Sequence, residues 1–163
     1  MASSRRSQVE PREDPEIQRV VALFGGPKVL HHRLRNTLDV HDTLAEGLPG
    51  AAVTHLTDNV RNVLGVPDDV LEAAIGMSAR TVQRLKRTPR RRISRAQSGQ
   101  VWTFAKILAM ATAVLGSREA AEKWLARPAM ALDRRRPIEL LGTTAGVQLV
   151  EDLLTRIEYG VYT

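Results

Sequence analysis

PDDVLEAAIGMSARTVQRLKR, residues 67–87, is the stretch whose reading decides the fold. A short helix over residues 67–75 meets Gly76-Met77, after which Ser78 is placed to cap a second short helix, Ala79 to Arg87. That punctuation predicts a helix-turn-helix. In the second helix Val82 and Leu85 stand three apart and pack inward, which leaves Arg80, Thr81, Gln83, Arg84, Lys86 and Arg87 outward. One position is at odds with the motif: four before the turn glycine, where a small residue lets the helices approach, stands Glu72, with Ala73 beside it.

The charge around this motif has one sign. Between Glu72 and Glu119 there is no carboxylate, while Arg80, Arg84, Lys86, Arg87, Arg90, Arg91, Arg92, Arg95, Lys106 and Arg118 all fall inside. Within a net charge of +6, this clustering is the footprint of a polyanion site, with a solvated basic face as the plainer alternative. Arginine and glutamine form bidentate contacts to guanine and adenine edges, so Arg80, Thr81, Gln83 and Arg84 are expected to face a major groove. Arg87 and Arg90, Arg91 and Arg92 are expected to hold phosphates.

Outward from there the chain reads as all-α. Its 163 residues hold one ordinary domain or two small ones, and 43% hydrophobic content with 4% aromatic implies a core of Leu, Val, Ile and Ala. Residues 1–14 are polar and charged and are expected to form a disordered tail. Asp14-Pro15 opens a helix through Ile17, Val20, Val21 and Phe24, closed by Gly25-Gly26, and a second helix is predicted from Pro27 to about Arg35. Gly47-Leu48-Pro49-Gly50 precedes a helix through Val53, Leu56 and Val60 that Gly65 ends. Downstream, Ser94 and Gln97 form a capping box for a long helix whose Val101, Phe104, Leu108, Ala111 and Leu115 recur at three and four residues. Gly116 ends it, Ser117 caps the next helix, and Pro128 stops that one. Pro137 opens a short helix and Thr143 or Thr144 a last one, through Val147, Val150, Leu154 and Ile157. The expected division is a helical DNA-binding region over 15–106, with the helix-turn-helix at about 67–87, and a second helical domain over 107–163.

No positive case for an enzyme emerges. His31-His32 point to different sides of a helix and His41 and His55 lack partners at metal-ligand spacing. Glu119 with Glu122, and Glu151 with Glu158, read as solvated helix faces rather than an acid-base pair. There is no Gly-rich phosphate loop, so no cofactor or metal is expected. The absence of cysteine excludes disulfides and thiol catalysis and suits the cytoplasm. No segment reads as a signal peptide, and the apolar run 107–116 is about half a membrane span, so no membrane is expected.

The runs GSREAAEKWLARP (116–128), PIELLGTTAG (137–146) and LLTRIEYGVY (153–162) resemble the toxin-binding domain of the Xre/MbcA/ParS antitoxin family. Upstream, Gly47-Leu48-Pro49, the GMSART turn at 76–81, and Ile93-Ser94 with Gln97-Ser98 resemble its Xre-like helix-turn-helix half. The resemblance covers about 45–163 and departs at three places: Glu72, the less basic start of the long helix at Gly99 to Phe104, and Asp133 to Arg136 in place of a glycine turn. It implies a non-enzymatic type II antitoxin, encoded beside a RES-domain toxin that degrades NAD. The C-terminal region would obstruct the toxin's active-site entrance and the helix-turn-helix would repress the operon by binding operator DNA. Tyr159, Val161, Tyr162 and Thr163 form an amphipathic end suited to a pocket, with Trp124, Leu125, Leu140 and Leu141 as its supporting apolar patch. A homodimer, and a higher complex with the toxin, is expected because one helix-turn-helix reads a half-site. The competing readings are a stand-alone transcriptional regulator whose C-terminal helices dimerise it, and a small basic nuclease or RNA-binding enzyme, against which the missing catalytic carboxylate or histidine cluster stands.

Overall fold

The computed structural model describes residues 12–161, with the side chains of 61–63 set aside. Among them are nine α-helices and no strand: α1 (Pro15–Leu23), α2 (Pro27–Leu30), α3 (Thr37–Glu46), α4 (Gly50–Leu64), α5 (Asp68–Ile75), α6 (Ala79–Arg87), α7 (Arg95–Leu115), α8 (Arg118–Leu125) and α9 (Thr144–Glu158), with 3-10 turns at Met130–Leu132 and Pro137–Leu140.

The axle of the fold is α7. Its start is fixed by Ser94 and Gln97, which cap each other's backbone, and its end by Gly116 in the left-handed region (φ 88°). Between them Val101, Phe104, Ala105, Ile107, Leu108 and Ala111 are buried, and α1, α3, α5, α8 and α9 lie against them. Trp102 stacks on Phe24 of α1 with ring centroids 5.7 Å apart. Around this axle α4 packs on α2, α6 and α8, and the Pro137–Leu140 turn wedges between α5 and α9. One hydrophobic cluster runs from Ile17 to Leu154.

Two close approaches explain two glycines. Gly47 (φ 94°) lies so near the Ile93 carbonyl that a Cβ there would collide with it, and beside it the Leu48 N–H donates to the buried Ser98 hydroxyl at 2.8 Å. A Cβ on Gly146, inside α9, would run into the Leu140 carbonyl oxygen.

The N-terminal part differs from the sequence reading. Helix α2 stops at Leu30 because His31 turns left-handed (φ 58°), well short of Arg35. The unannounced α3 follows, capped by Asn36, whose side-chain oxygen accepts the Leu38 and Asp39 N–H groups at 2.9 and 3.0 Å. Of the expected tail, residues 1–11 lie outside the described residues, whereas residues 13 and 14 are held: Glu13 pairs with Arg33 at 2.8 Å and the Asp14 N–H donates to the Arg35 carbonyl at 2.9 Å. A second irregularity follows α8, where Asp133 (φ 52°) and Arg134 (φ 63°) are successive left-handed residues with no glycine between them, an arrangement that costs roughly 1 to 2 kcal/mol per residue. Among the described residues no single helix is long and apolar enough to cross a membrane.

Candidate functional site

Gly76 (φ 71°) makes the turn between α5 and α6. The turn is closed from α7 by Gln100, whose side-chain nitrogen donates to the carbonyls of Ala73 (3.0 Å) and Ala74 (3.4 Å) and whose oxygen lies close enough to clash with a Cβ on Gly76. At the N-terminus of α6 the Ser78 hydroxyl accepts the Thr81 N–H at 3.2 Å. Glu72, the residue at odds with the motif, is built into it: its Oε1 accepts the Ala79 N–H at 2.7 Å, placing a carboxylate at the positive end of the α6 dipole. Val82 and Leu85 are buried, which fixes the rotation of α6.

That rotation leaves Arg80, Gln83, Arg84 and Arg87 exposed, with Thr81 half-buried and its hydroxyl shared with Ser78 (3.1 Å) and Arg84 (3.5 Å). Lys86 pairs with Asp58 of α4 at 2.6 Å. The following loop is bound to the start of α4: the N–H groups of Gly50 and Ala51 donate to the carbonyls of Arg91 (2.8 Å) and Pro89 (2.9 Å), and the Ile93 N–H to Leu48 (3.0 Å). Arg90, Arg91 and Arg92 all remain exposed, and Arg92 in addition donates to the Gly47 carbonyl at 2.6 Å and approaches Glu46 at 3.7 Å. Its guanidinium is therefore tied to the residues before α4 while staying open to solvent, in the groove it shares with Arg84 and Arg91. Between α6 and the start of α7 lies a groove of about 350 Å³ whose lining includes Thr81, Arg84, Arg91, Ser94 and Gln97.

In the C-terminal half the expected apolar patch divides. Leu125 and Leu141 are core residues and offer no surface, while Trp124 and Leu140 are half-buried. On α8 the reason is a rotation of one residue, about 100°, between the face of Leu125 that meets α4 and α7 and the face of Trp124 beside it. Tyr159 is 75% exposed and Val161 53% exposed at the end of α9; Tyr162 and Thr163 lie outside the described residues. Three exposed apolar side chains are absent from the sequence reading, Met130 and Leu149 in this half and Leu38 in α3. Glu122 is not on a solvated face: it is 2% exposed and accepts from the Arg118 guanidinium at 2.9 Å, an i,i+4 pair that the sequence spacing already contained. Among the described residues no three metal-ligating side chains gather, and His32 faces Glu46 at 3.3 Å.

Comparison with known proteins follows the same division. Residues 39–106 match the family model of the antitoxin Xre-like helix-turn-helix domain, and residues 110–160 that of the antitoxin Xre/MbcA/ParS C-terminal toxin-binding domain. A relative, the Antitoxin Xre of Yersinia enterocolitica serotype O:8 / biotype 1B, is 28% identical over 132 residues, which cover 72% of this chain and 87% of the relative. Neither matched domain is described as catalytic. The interval between the two matches falls inside α7.

Proposed function

We propose that this chain, similar in both its halves to Xre/MbcA/ParS antitoxin domains, is an antitoxin that neutralises a RES-type, NAD-degrading toxin by obstructing the toxin's active site, and represses its own operon as a homodimer. The observation that carries the toxin half is the pair Tyr159 and Val161, left in water at the end of α9 although the chain has only 4% aromatic residues to spend on its core. An aromatic ring and a branched aliphatic on an uncovered segment fit a pocket on a partner better than they fit solvent. Half-buried Trp124 and Leu140 supply apolar surface in the same half, which we assign, over residues 107–163, to the toxin.

Operator binding rests on the exposed side chains of α6 and its loop. Arg80, Gln83 and Arg84 meet base edges, the Thr81 hydroxyl orients Arg84, and Arg87, Arg90, Arg91 and Arg92 neutralise phosphates. The chain acts by binding and performs no reaction of its own.

Coexpression with the product of the adjacent toxin gene tests the reading. The full chain restores growth, and removal of residues 159–163 abolishes rescue while the helical circular dichroism stays unchanged. Full protection by the truncated chain would overturn the obstructing role.

A further inference from the structure

The loop from Arg127 to Arg136 is anchored at both ends and closed on itself. Leu132 is buried in the core, as are Pro137 and Ile138 just beyond. The Ala129 N–H donates to the Arg135 carbonyl and the Arg134 N–H to the Ala129 carbonyl, each at 3.0 Å. Between these anchors Asp133 and Arg134 hold left-handed backbone, where glycine would sit without strain, so the turn is kept with residues that carry side chains. At its surface Met130 is 75% exposed, and the exposed guanidinium groups of Arg127, Arg134 and Arg135 form no ion pair or hydrogen bond among the described residues. An exposed methionine on a closed turn that also carries unpaired arginines is an anchor ready to dock, because little backbone freedom remains to be lost on binding.

We infer that this loop is a second docking point for the toxin, separate from the end of α9: Met130 enters an apolar socket while Arg134 and Arg135 meet carboxylates on its rim. The inference rests on the antitoxin reading above and adds what the partner surface must be, an acidic patch around a hole for one unbranched side chain. A protein is favoured over nucleic acid for two reasons. A thioether gains nothing from a phosphate backbone, and the loop falls within residues 110–160, the segment matched to a toxin-binding domain rather than to the helix-turn-helix.

The experiment titrates the purified full chain against the product of the adjacent toxin gene, at low and high salt, beside an operator-DNA titration. Arg134→Glu/Arg135→Glu weakens toxin binding by about 100-fold and Met130→Glu by about 10-fold, with operator affinity within about two-fold of the parent. Should the charge-reversed chain misfold, Arg134→Gln/Arg135→Gln decides, since it abolishes most of the salt dependence that the parent's toxin affinity shows. A parent chain that binds toxin, with loop variants that bind equally tightly and with the same salt dependence, overturns the loop alone. A parent chain that binds no toxin overturns the antitoxin reading and this inference with it. Loop variants that lose operator affinity and keep toxin affinity assign the loop to DNA and overturn it too.

Discussion

Glu72 reaches across the helix-turn-helix to the Ala79 amide, 2.7 Å away, so that an acid of α5 caps the helix proposed to read DNA. Replacing it removes a capping acceptor, and Glu72→Ala lowers stability by about 0.5 to 2 kcal/mol in urea unfolding. Glu72→Gln keeps an acceptor oxygen without the charge, loses less stability, and binds DNA more tightly because a negative charge leaves the helix proposed to meet a polyanion. Weaker DNA binding by the glutamine variant would show that the charge is used in recognition.

Three arginines within nine residues separate into three roles. Arg84→Ala costs about 1 to 3 kcal/mol on the operator and little on scrambled DNA, whereas Arg91→Ala weakens both duplexes alike and lowers the salt slope by about one. Arg92→Ala lowers both the melting temperature and the affinity for either duplex, because its exposed guanidinium is also hydrogen-bonded to the Gly47 carbonyl. Gel shifts on the two duplexes at two salt concentrations, with thermal melts, distinguish the three.

Phe104 is buried in the middle of α7, and Phe104→Ala costs about 3 to 5 kcal/mol by denaturant titration. A loss below about 1 kcal/mol would mean that α7 presents a different face to the core.

Gly146 inverts an ordinary rule. Alanine in a helix interior is usually better than glycine by about 0.5 to 1 kcal/mol, yet Gly146→Ala destabilises here because its Cβ meets the Leu140 carbonyl. A raised melting temperature would show that α9 and the Pro137–Leu140 turn are not in contact.

Acid sensitivity has an identifiable contributor in Asp39. The Arg35 side chain and backbone hydrogen-bond its carboxylate and hold it below the ordinary aspartate value. A carboxyl depressed on folding contributes stability that is present above the unfolded value, near pH 4, and is lost as pH falls through the folded value. The melting-temperature gap between the parent and Asp39→Asn is therefore widest above about pH 4 and closes below it. A constant gap across that range would remove Asp39 from the acid limb.

Helices α4 to α9 were legible in the sequence because each carries a local signal: Ser78, Ser94 and Ser117 before the start, Gly65, Gly76 and Gly116 after the end, and an apolar period between. Helix α3 had only its Asn36 cap and two buried side chains, Val40 and Thr43, too sparse a stripe to stand out. Surface assignments failed wherever they depended on contacts distant in sequence. Leu125 differs from Trp124 only by what packs over it, and the hydrogen bond from Arg92 to Gly47 becomes visible only when the loop is seen on Gly47 to Ala51. Glu122 was misread for the opposite reason, since its partner Arg118 was one turn away and the burial of the pair was not visible from spacing.

Helix α7, 21 residues and about 30 Å long, passes without interruption through the junction of the two matched segments. A rod in that place leaves no hinge. The DNA-facing and toxin-facing surfaces proposed here keep one distance and one angle, and occupancy of either is felt at the other through shape alone. A toxin carried by one copy arrives at the operator in a set orientation, so neighbouring copies either fit side by side or exclude each other. Sensing the ratio of toxin to antitoxin would then be a matter of geometry among whole complexes, with no change of conformation inside this chain.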